Sequence, residues 1–198
     1  MARLPLVDFK TIWRPYQLVP SSGKNRTLRK SEAYLSFMGD PTKVHAYFTR
    51  LRHEGSETDI RFEFEGKTSG TFDAHRLAEW ALDQYGSDAQ DELVTRQFEM
   101  FFERGEPPND LDKQVDAASK AGLDAVKAKA VLDDQAAYAD VTRSKLEAAR
   151  REGVSGVPCF RIDGVEVATG AQGVVFWEHK LRQKLMMLHQ QAQAITVS

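Results

Sequence analysis

One stretch near the C-terminus constrains this chain more than any other part of it. It reads Gly-Val-Ser-Gly-Val-Pro-Cys-Phe-Arg-Ile-Asp-Gly from Gly153 to Gly164. Gly153 suits the left-handed position that ends a helix, and Cys159 to Ile162 alternate as a strand with two different faces does. Asp163-Gly164 is a strong signal for a two-residue hairpin turn. The stretch therefore predicts a helix end, a loop, a β-hairpin and then a closing helix.

Pro158 stands at the head of the predicted strand. Proline is tolerated there because its missing N–H costs no ladder hydrogen bond. About 5–6% of X–Pro bonds in folded proteins are cis. Spacing alone therefore leaves the isomer of the Val157–Pro158 bond open.

Three segments together resemble a known family. The first is the Gly-Val-Ser-Gly-Val-Pro-x-Phe-x-Ile-Asp-Gly pattern, followed by Gly-Ala-Gln; the others are Trp13–Leu18 and Thr71–Leu77. In this order they resemble the DsbA-like thioredoxin-fold family, in particular its FrnE-type dithiol–disulfide oxidoreductases. Relatives of that branch include hydroxychromene-carboxylate isomerases and kappa-class glutathione transferases. The resemblance implies that Pro158 is cis and faces a redox motif, and that the backbone at Val157 docks an extended thiol substrate.

The resemblance also implies parts that this chain does not contain. Family members begin with a strand, then a Cys-x-x-Cys motif or a serine variant that opens a helix. Only then comes the strand that matches Trp13–Leu18. This chain has one cysteine and starts at about that second strand, so we expect it to lack the first strand, the first helix and the redox motif.

The expected architecture is α/β, with a thioredoxin-like sheet interrupted by a large helical insertion. We expect one domain over residues 1–198, with a thioredoxin part at 1–20 and 153–189 and the insertion at 31–152. Residues 7–18 and 157–169 would supply the sheet. Helix starts are predicted at Asp40-Pro41, Thr71, Ser87, Asp110 and Asp124. A final helix should pack one apolar face on the sheet, through Val174, Trp177, Leu181, Leu185 and Leu188.

Composition excludes several classes of function. The 198 residues carry a net charge of −2, so no large basic field favours nucleic acid or an anionic membrane. No apolar run approaches the roughly 20 residues of a membrane span, and the N-terminus lacks the apolar region of a signal peptide. A single cysteine excludes an internal disulfide and suits a reducing compartment. We therefore expect the cytoplasm.

Cys159 is the only thiol that could act as a nucleophile. A dithiol exchange cycle needs a second cysteine to resolve the mixed disulfide. A one-cysteine cycle with glutathione would need an activated thiolate, for which Arg161 on the same strand is the nearby cation. A cysteine within an apolar strand is more often a small buried hydrophobe. We therefore expect Cys159 to be largely buried and inert.

His75 is a second candidate for chemistry, because histidine can act as a general base near neutral pH. It lies beside Arg76, which we expect to be exposed. A hydrogen-bonded structural role explains a histidine at this position equally well, and we favour it because sequence cannot place a reacting atom nearby. The histidines do not show the spacing of metal ligands, so no metal site is predicted.

These observations leave three functions. The first is a DsbA-like thiol–disulfide oxidoreductase that keeps the substrate-docking half, Val157 and Pro158, and is inactive in dithiol exchange as the chain stands. The second is a glutathione-dependent isomerase or transferase, and the third is a non-catalytic binding module of the same fold. The resemblance implies a thiol-containing peptide or glutathione as partner, with no cofactor other than glutathione. An unpaired sheet edge also predicts self-association through residues 7–18.

Overall fold

The computed structural model describes residues 9–18 and 26–196, with side chains described as far as Gln191. Contacts divide the chain into two compact units. The helical unit comprises Lys10–Glu152, and the C-terminal unit comprises Gly153–Ser198 together with Met1–Phe9. Residues 10–18, which the sequence analysis assigned to the thioredoxin part, therefore group with the helices.

The helical unit is built from short helices joined by tight turns. They are α1 (Lys30–Met38), α2 (Pro41–Ser56), α3 (Phe72–Tyr85), α4 (Ser87–Phe98), α5 (Leu111–Lys120), α6 (Ala125–Asp133) and α7 (Ala139–Arg151). A π-helical turn, Glu99–Glu103, continues α4. Two short strands, β1 (Leu28–Arg29) and β2 (Lys67–Thr68), form an antiparallel pair.

Aspartate side chains start three of these helices where the sequence predicted it. Backbone N–H groups two or three residues further on donate to Asp40, Asp110 and Asp124 at 2.8, 3.2 and 2.9 Å, respectively. Each bond satisfies one of the N–H groups that a helix start leaves unpaired. These three predictions are confirmed, whereas Ser87 is the first residue of α4 and not its cap.

Apart from a small group of Phe72, Ala139 and Leu146 between α3 and α7, two apolar clusters hold the helical unit together. The larger joins α3, α4, α5 and α6 through the buried residues Leu77, Trp80, Ala81, Leu93, Ala117, Ala118, Leu123, Ala128 and Leu132. The second lies between α2 and the extended residues 60–65, where the rings of Phe48 and Phe64 stack at 4.0 Å between centroids. On α2, Val44 and Phe48 are both buried in this cluster.

A buried lysine connects the π-helical turn to the extended residues 60–65. Lys30 Nζ donates to the carbonyl oxygens of Glu63, at 2.7 Å, and Phe101. The same ammonium group lies 4.2 Å from the centre of the Phe101 ring. Burial lowers the pKa of Lys30 to about 8, although the nearby Glu63 carboxylate opposes this shift. The lysine therefore satisfies two carbonyl groups and a ring face inside the unit.

Residues 9–18 form no strand, so the prediction of a sheet strand there is wrong for the described residues; residues 7 and 8 lie outside them. The side chain of buried Gln90 makes the main-chain hydrogen bonds that a neighbouring strand would have made. It accepts from Trp13 N at 2.9 Å and donates to Trp13 O at 3.1 Å. The Trp13 indole donates to Asp91 Oδ1 at 2.6 Å and meets the Phe98 ring edge-on at 5.3 Å. We call residues 10–18 the docked segment.

The C-terminal unit contains the predicted hairpin. Strands β3 (Cys159–Ile162) and β4 (Val165–Thr169) pair antiparallel, and Asp163 and Gly164 turn with φ values of 50° and 81°. Positive φ at both turn residues is the geometry that Asp-Gly favours. The register shifts between Phe160 and Arg161. The pairing of β4 with β3 is therefore irregular at this point, and Val165 is 67% exposed.

Helix α8 (Val174–Thr196) packs on the hairpin. The rings of Phe160 and Trp177 meet at 4.5 Å between centroids, and Lys184 Nζ lies 2.6 Å from Asp163 Oδ2 at the turn. Val174 at the helix start is 81% exposed, contrary to the predicted apolar stripe. Within the described residues, no helix is long and apolar enough to cross a membrane.

Candidate functional site

The loop before β3 presents main-chain groups that bond no other residue in the part of the chain that the structure describes. Val157 is 45% exposed, and neither its N–H nor its carbonyl bonds to any described part of the chain. The Val157–Pro158 peptide bond is cis, the isomer that the resemblance implies. Since every non-proline residue carries one backbone donor and one acceptor, Val157 can pair with an extended chain laid alongside it.

Two glycines and one hydrogen bond fix this loop. Gly153 ends α7 at φ 77°, and Gly170 leaves β4 at φ 83°. The Gly170 N–H donates to the Pro158 carbonyl at 2.7 Å. The backbone beyond Val157 is therefore held, whereas Val157 itself makes no main-chain bond to residues 9–18 or 26–196. The role of Gly170 was not predicted, although a glycine directly after the predicted strand is a signal for such a turn.

Cys159 is the first residue of β3, opposite Thr169. It is partly buried, so the expectation of a largely buried thiol holds only in part. The chain contains no other cysteine, and the thiol therefore has no resolving partner within this sequence.

Several valines of the C-terminal unit are exposed. Val174 and Val175, which follow the Gly170 loop, are 81% and 79% exposed. Val165 on β4 is also mostly exposed. The main-chain groups of Val157 fit an extended peptide better than a compact polar ligand.

His75 lies in the helical unit and is engaged within it. Its Nε2 lies 3.0 Å from the Tyr16 carbonyl oxygen and 3.2 Å from Thr71 Oγ1. Thr71 precedes α3 but does not cap it with its side chain. Burial lowers the pKa of His75, and the hydrogen bond to Tyr16 opposes that shift. These contacts favour the structural role over that of a general base.

Arg76 is completely buried, so the prediction that it is exposed is wrong. Its guanidinium bonds Asp73 Oδ1 at 3.0 Å and four main-chain carbonyl oxygens at the end of α6 and the turn after it, those of Val131, Leu132, Asp134 and Ala137. The sequence carried a signal for the Asp73–Arg76 ion pair, because the two residues are three positions apart on one helix.

Comparison with known proteins places this geometry in a family. The chain is 27% identical over 172 residues to the uncharacterized protein YwbO of Bacillus subtilis. This alignment covers 84% of this chain and 78% of YwbO. Among solved structures, a probable DsbA oxidoreductase from Streptomyces coelicolor is similar with a TM-score of 0.74 and 27% identity. That match covers 84% of this chain and 71% of the other.

The match to a family model is more extensive. The model of the DSBA-like thioredoxin domain matches residues 2–182, a range that includes both the docked segment and the hairpin. The predicted α/β class and thioredoxin-like fold are confirmed by this match and by the structural neighbour. The chain belongs to the DSBA-like thioredoxin domain family.

Proposed function

We propose that this chain is the substrate-docking part of a DsbA-like thiol–disulfide oxidoreductase, and that it is inactive in dithiol exchange by itself. The observation that carries the proposal is the open backbone of half-exposed Val157, directly before Pro158 and β3. Membership of the DSBA-like family supports it. The partner would be an extended, cysteine-containing peptide that pairs with the Val157 N–H and carbonyl.

The chemistry assigned to this chain is binding. Thiol–disulfide exchange proceeds through a mixed disulfide that a second thiol must resolve, and Cys159 is the only cysteine here. The docked peptide would therefore present its sulfur to a redox motif that this sequence does not supply. A chain with one cysteine forms no internal disulfide and suits a reducing compartment, so we propose the cytoplasm.

The test is a binding titration followed by backbone amide NMR. The probes are a short unstructured peptide with a central cysteine, the same peptide with serine, and reduced glutathione. We expect the cysteine peptide to perturb the amides of Val157, Cys159 and Gly170. Perturbation by glutathione alone would support the glutathione-dependent alternative, and no perturbation by any probe would contradict docking at this loop.

A pair of variants separates backbone pairing from a general loss of apolar surface. Val157→Pro removes an N–H that has no partner among the described residues, so the fold should tolerate it while the docked peptide loses a donor. Val174→Pro is the matched control, because it makes the same change at the first position of α8, where proline is well tolerated. We expect peptide affinity to fall about fivefold in the first variant only, since one net hydrogen bond contributes roughly 1 kcal/mol.

A further inference from the structure

Side chains, and not a β-ladder, hold the docked segment on the helical unit. Gln90 bonds both main-chain groups of Trp13, and Asp91 bonds its indole. His75 holds the other end of the segment through the Tyr16 carbonyl. Between them Pro15 is buried. Because side chains make these described contacts, the segment can separate from the helical surface without breaking a sheet.

The His75 contact differs from the other two because it depends on an imidazole. A carbonyl oxygen only accepts, so the Nε2 that faces Tyr16 must carry the hydrogen. The neutral ring then has an unprotonated Nδ1, and a second proton would turn it into a cation under the docked segment. Burial already lowers the pKa of His75, which means that the docked arrangement disfavours this cation.

The carboxylates on the neighbouring helices are engaged elsewhere. On α3, Asp73, Glu79 and Asp83 bond Arg76, Lys145 of α7 and the Tyr138 hydroxyl, respectively. On α4, Asp88, Asp91 and Glu92 bond Ser87, the Trp13 indole and Arg96, respectively. Among the described residues, none of these carboxylates bonds the imidazole. A cation at His75 would therefore lack a hydrogen-bonded counter-charge unless the segment lifted and admitted water.

We propose that His75 is a pH-sensitive latch, and that protonation of its imidazole releases the docked segment from α3 and α4. Release would expose the surface formed by Gln90, Asp91 and Phe98. It would also free the part of the chain that leads into residues 1–9. This inference is independent of the docking function proposed for Val157.

The size of the effect follows from proton linkage. Once the segment has lifted, His75 is hydrated and should titrate near 6.5, whereas in the docked state it holds its proton more weakly. The open state then binds more protons, so the opening equilibrium constant rises as pH falls below about 6.5, by up to tenfold per pH unit. With a pKa near 6.5 in the open state, the opening equilibrium constant rises at most roughly thirtyfold between pH 7.5 and 5.0.

The experiment is amide hydrogen exchange of the full-length protein followed by mass spectrometry. Exchange rates of residues 10–18 are corrected for their intrinsic pH dependence and compared at pH 7.5 and 5.0. His75→Gln keeps an N–H donor but cannot be protonated in this range. His53→Gln is the matched control, because His53 is exposed on α2 and its nearest carboxylate, that of Glu57, is 3.7 Å away.

We expect corrected exchange of residues 10–18 to rise about tenfold or more at pH 5.0 in the wild type and in His53→Gln, but not in His75→Gln. Asp91→Asn is a second control, which weakens docking of the segment while leaving His75 in place. It should raise exchange at both pH values and still show the His75-dependent rise. A wild-type segment with no pH response, or a His75→Gln segment that follows the wild type, would overturn the latch.

Discussion

The buried guanidinium of Arg76 gives the sharpest test of how the helical unit is held together. Its side chain has no solvent exposure. It bonds Asp73 and four main-chain carbonyl oxygens. Two of those carbonyls, Val131 and Leu132, lie in the last turn of α6, where a helix has no internal donors to offer. Arg76 is therefore both a cap and a positive charge at the negative end of a helix dipole.

Arg76→Met fills much of the same volume but removes the charge and every donor. Breaking a buried ion pair by removing one partner costs about 3–5 kcal/mol. Arg76→Lys keeps the charge but loses the planar fork that reaches several acceptors at once. We expect it to cost about 1–3 kcal/mol, the usual range for buried acceptors left without donors.

Arg143→Met is the matched control. Arg143 and Asp140 form a pair with the same spacing, Nη1 to Oδ1 2.9 Å, but their side chains are 55% and 100% exposed. Exposed pairs contribute about 0–1 kcal/mol, so this variant should unfold almost like the wild type. The assay is urea unfolding followed by far-ultraviolet circular dichroism, with all variants at pH 7. An Arg76→Met variant that loses no more stability than Arg143→Met would refute the role given to Arg76.

Three further predictions test other parts of the account. Because burial lowers the pKa of Lys30 from 10.5 to about 8, the unfolded chain holds this proton more tightly, and the unfolding free energy of the wild type relative to Lys30→Gln should rise from pH 8 to pH 10. A difference that stays constant in denaturant titrations at both pH values would contradict the burial of this lysine. Gly66→Ala would place a Cβ 2.3 Å from Gly105 Cα, so it should destabilise by about 1–3 kcal/mol, whereas Gly156→Ala, with nothing within 4 Å, should unfold at the wild-type urea concentration. The wild type should not accelerate insulin reduction by dithiothreitol, and insulin reduction above background would contradict the proposal that the chain is inactive in dithiol exchange. Cys159 should react with iodoacetamide more slowly in the native protein than in the denatured one.

Helix starts and the hairpin turn could be predicted from neighbouring residues in the sequence alone. An aspartate before a helical pattern caps that helix with its own side chain, which is why Asp40, Asp110 and Asp124 were predicted correctly. The Asp163-Gly164 turn likewise depends only on two residues that accept positive φ. The pattern around Val157 and Pro158 was found through resemblance, because spacing alone does not reveal the isomer of the peptide bond.

The errors arose where a distant side chain decided the outcome. Residues 9–18 have the alternation of a strand, but Gln90, more than seventy residues away in sequence, takes the hydrogen bonds that a neighbouring strand would have made. Arg76 was expected to be exposed because most arginines are, yet the end of α6 offers it several carbonyl groups. Neither contact is visible in periodicity. Self-association through residues 7–18 stays a prediction.

Amide hydrogen exchange at Val157 tests the central claim most directly. In the free protein its N–H has no partner among the described residues, so it should exchange rapidly. If an extended cysteine-containing peptide docks by main-chain pairing, this amide should become protected in proportion to peptide occupancy, while the amide of Val175 on exposed α8 serves as the reference. A Val157 amide that exchanges at the same rate at saturating peptide would contradict the docking role of this loop.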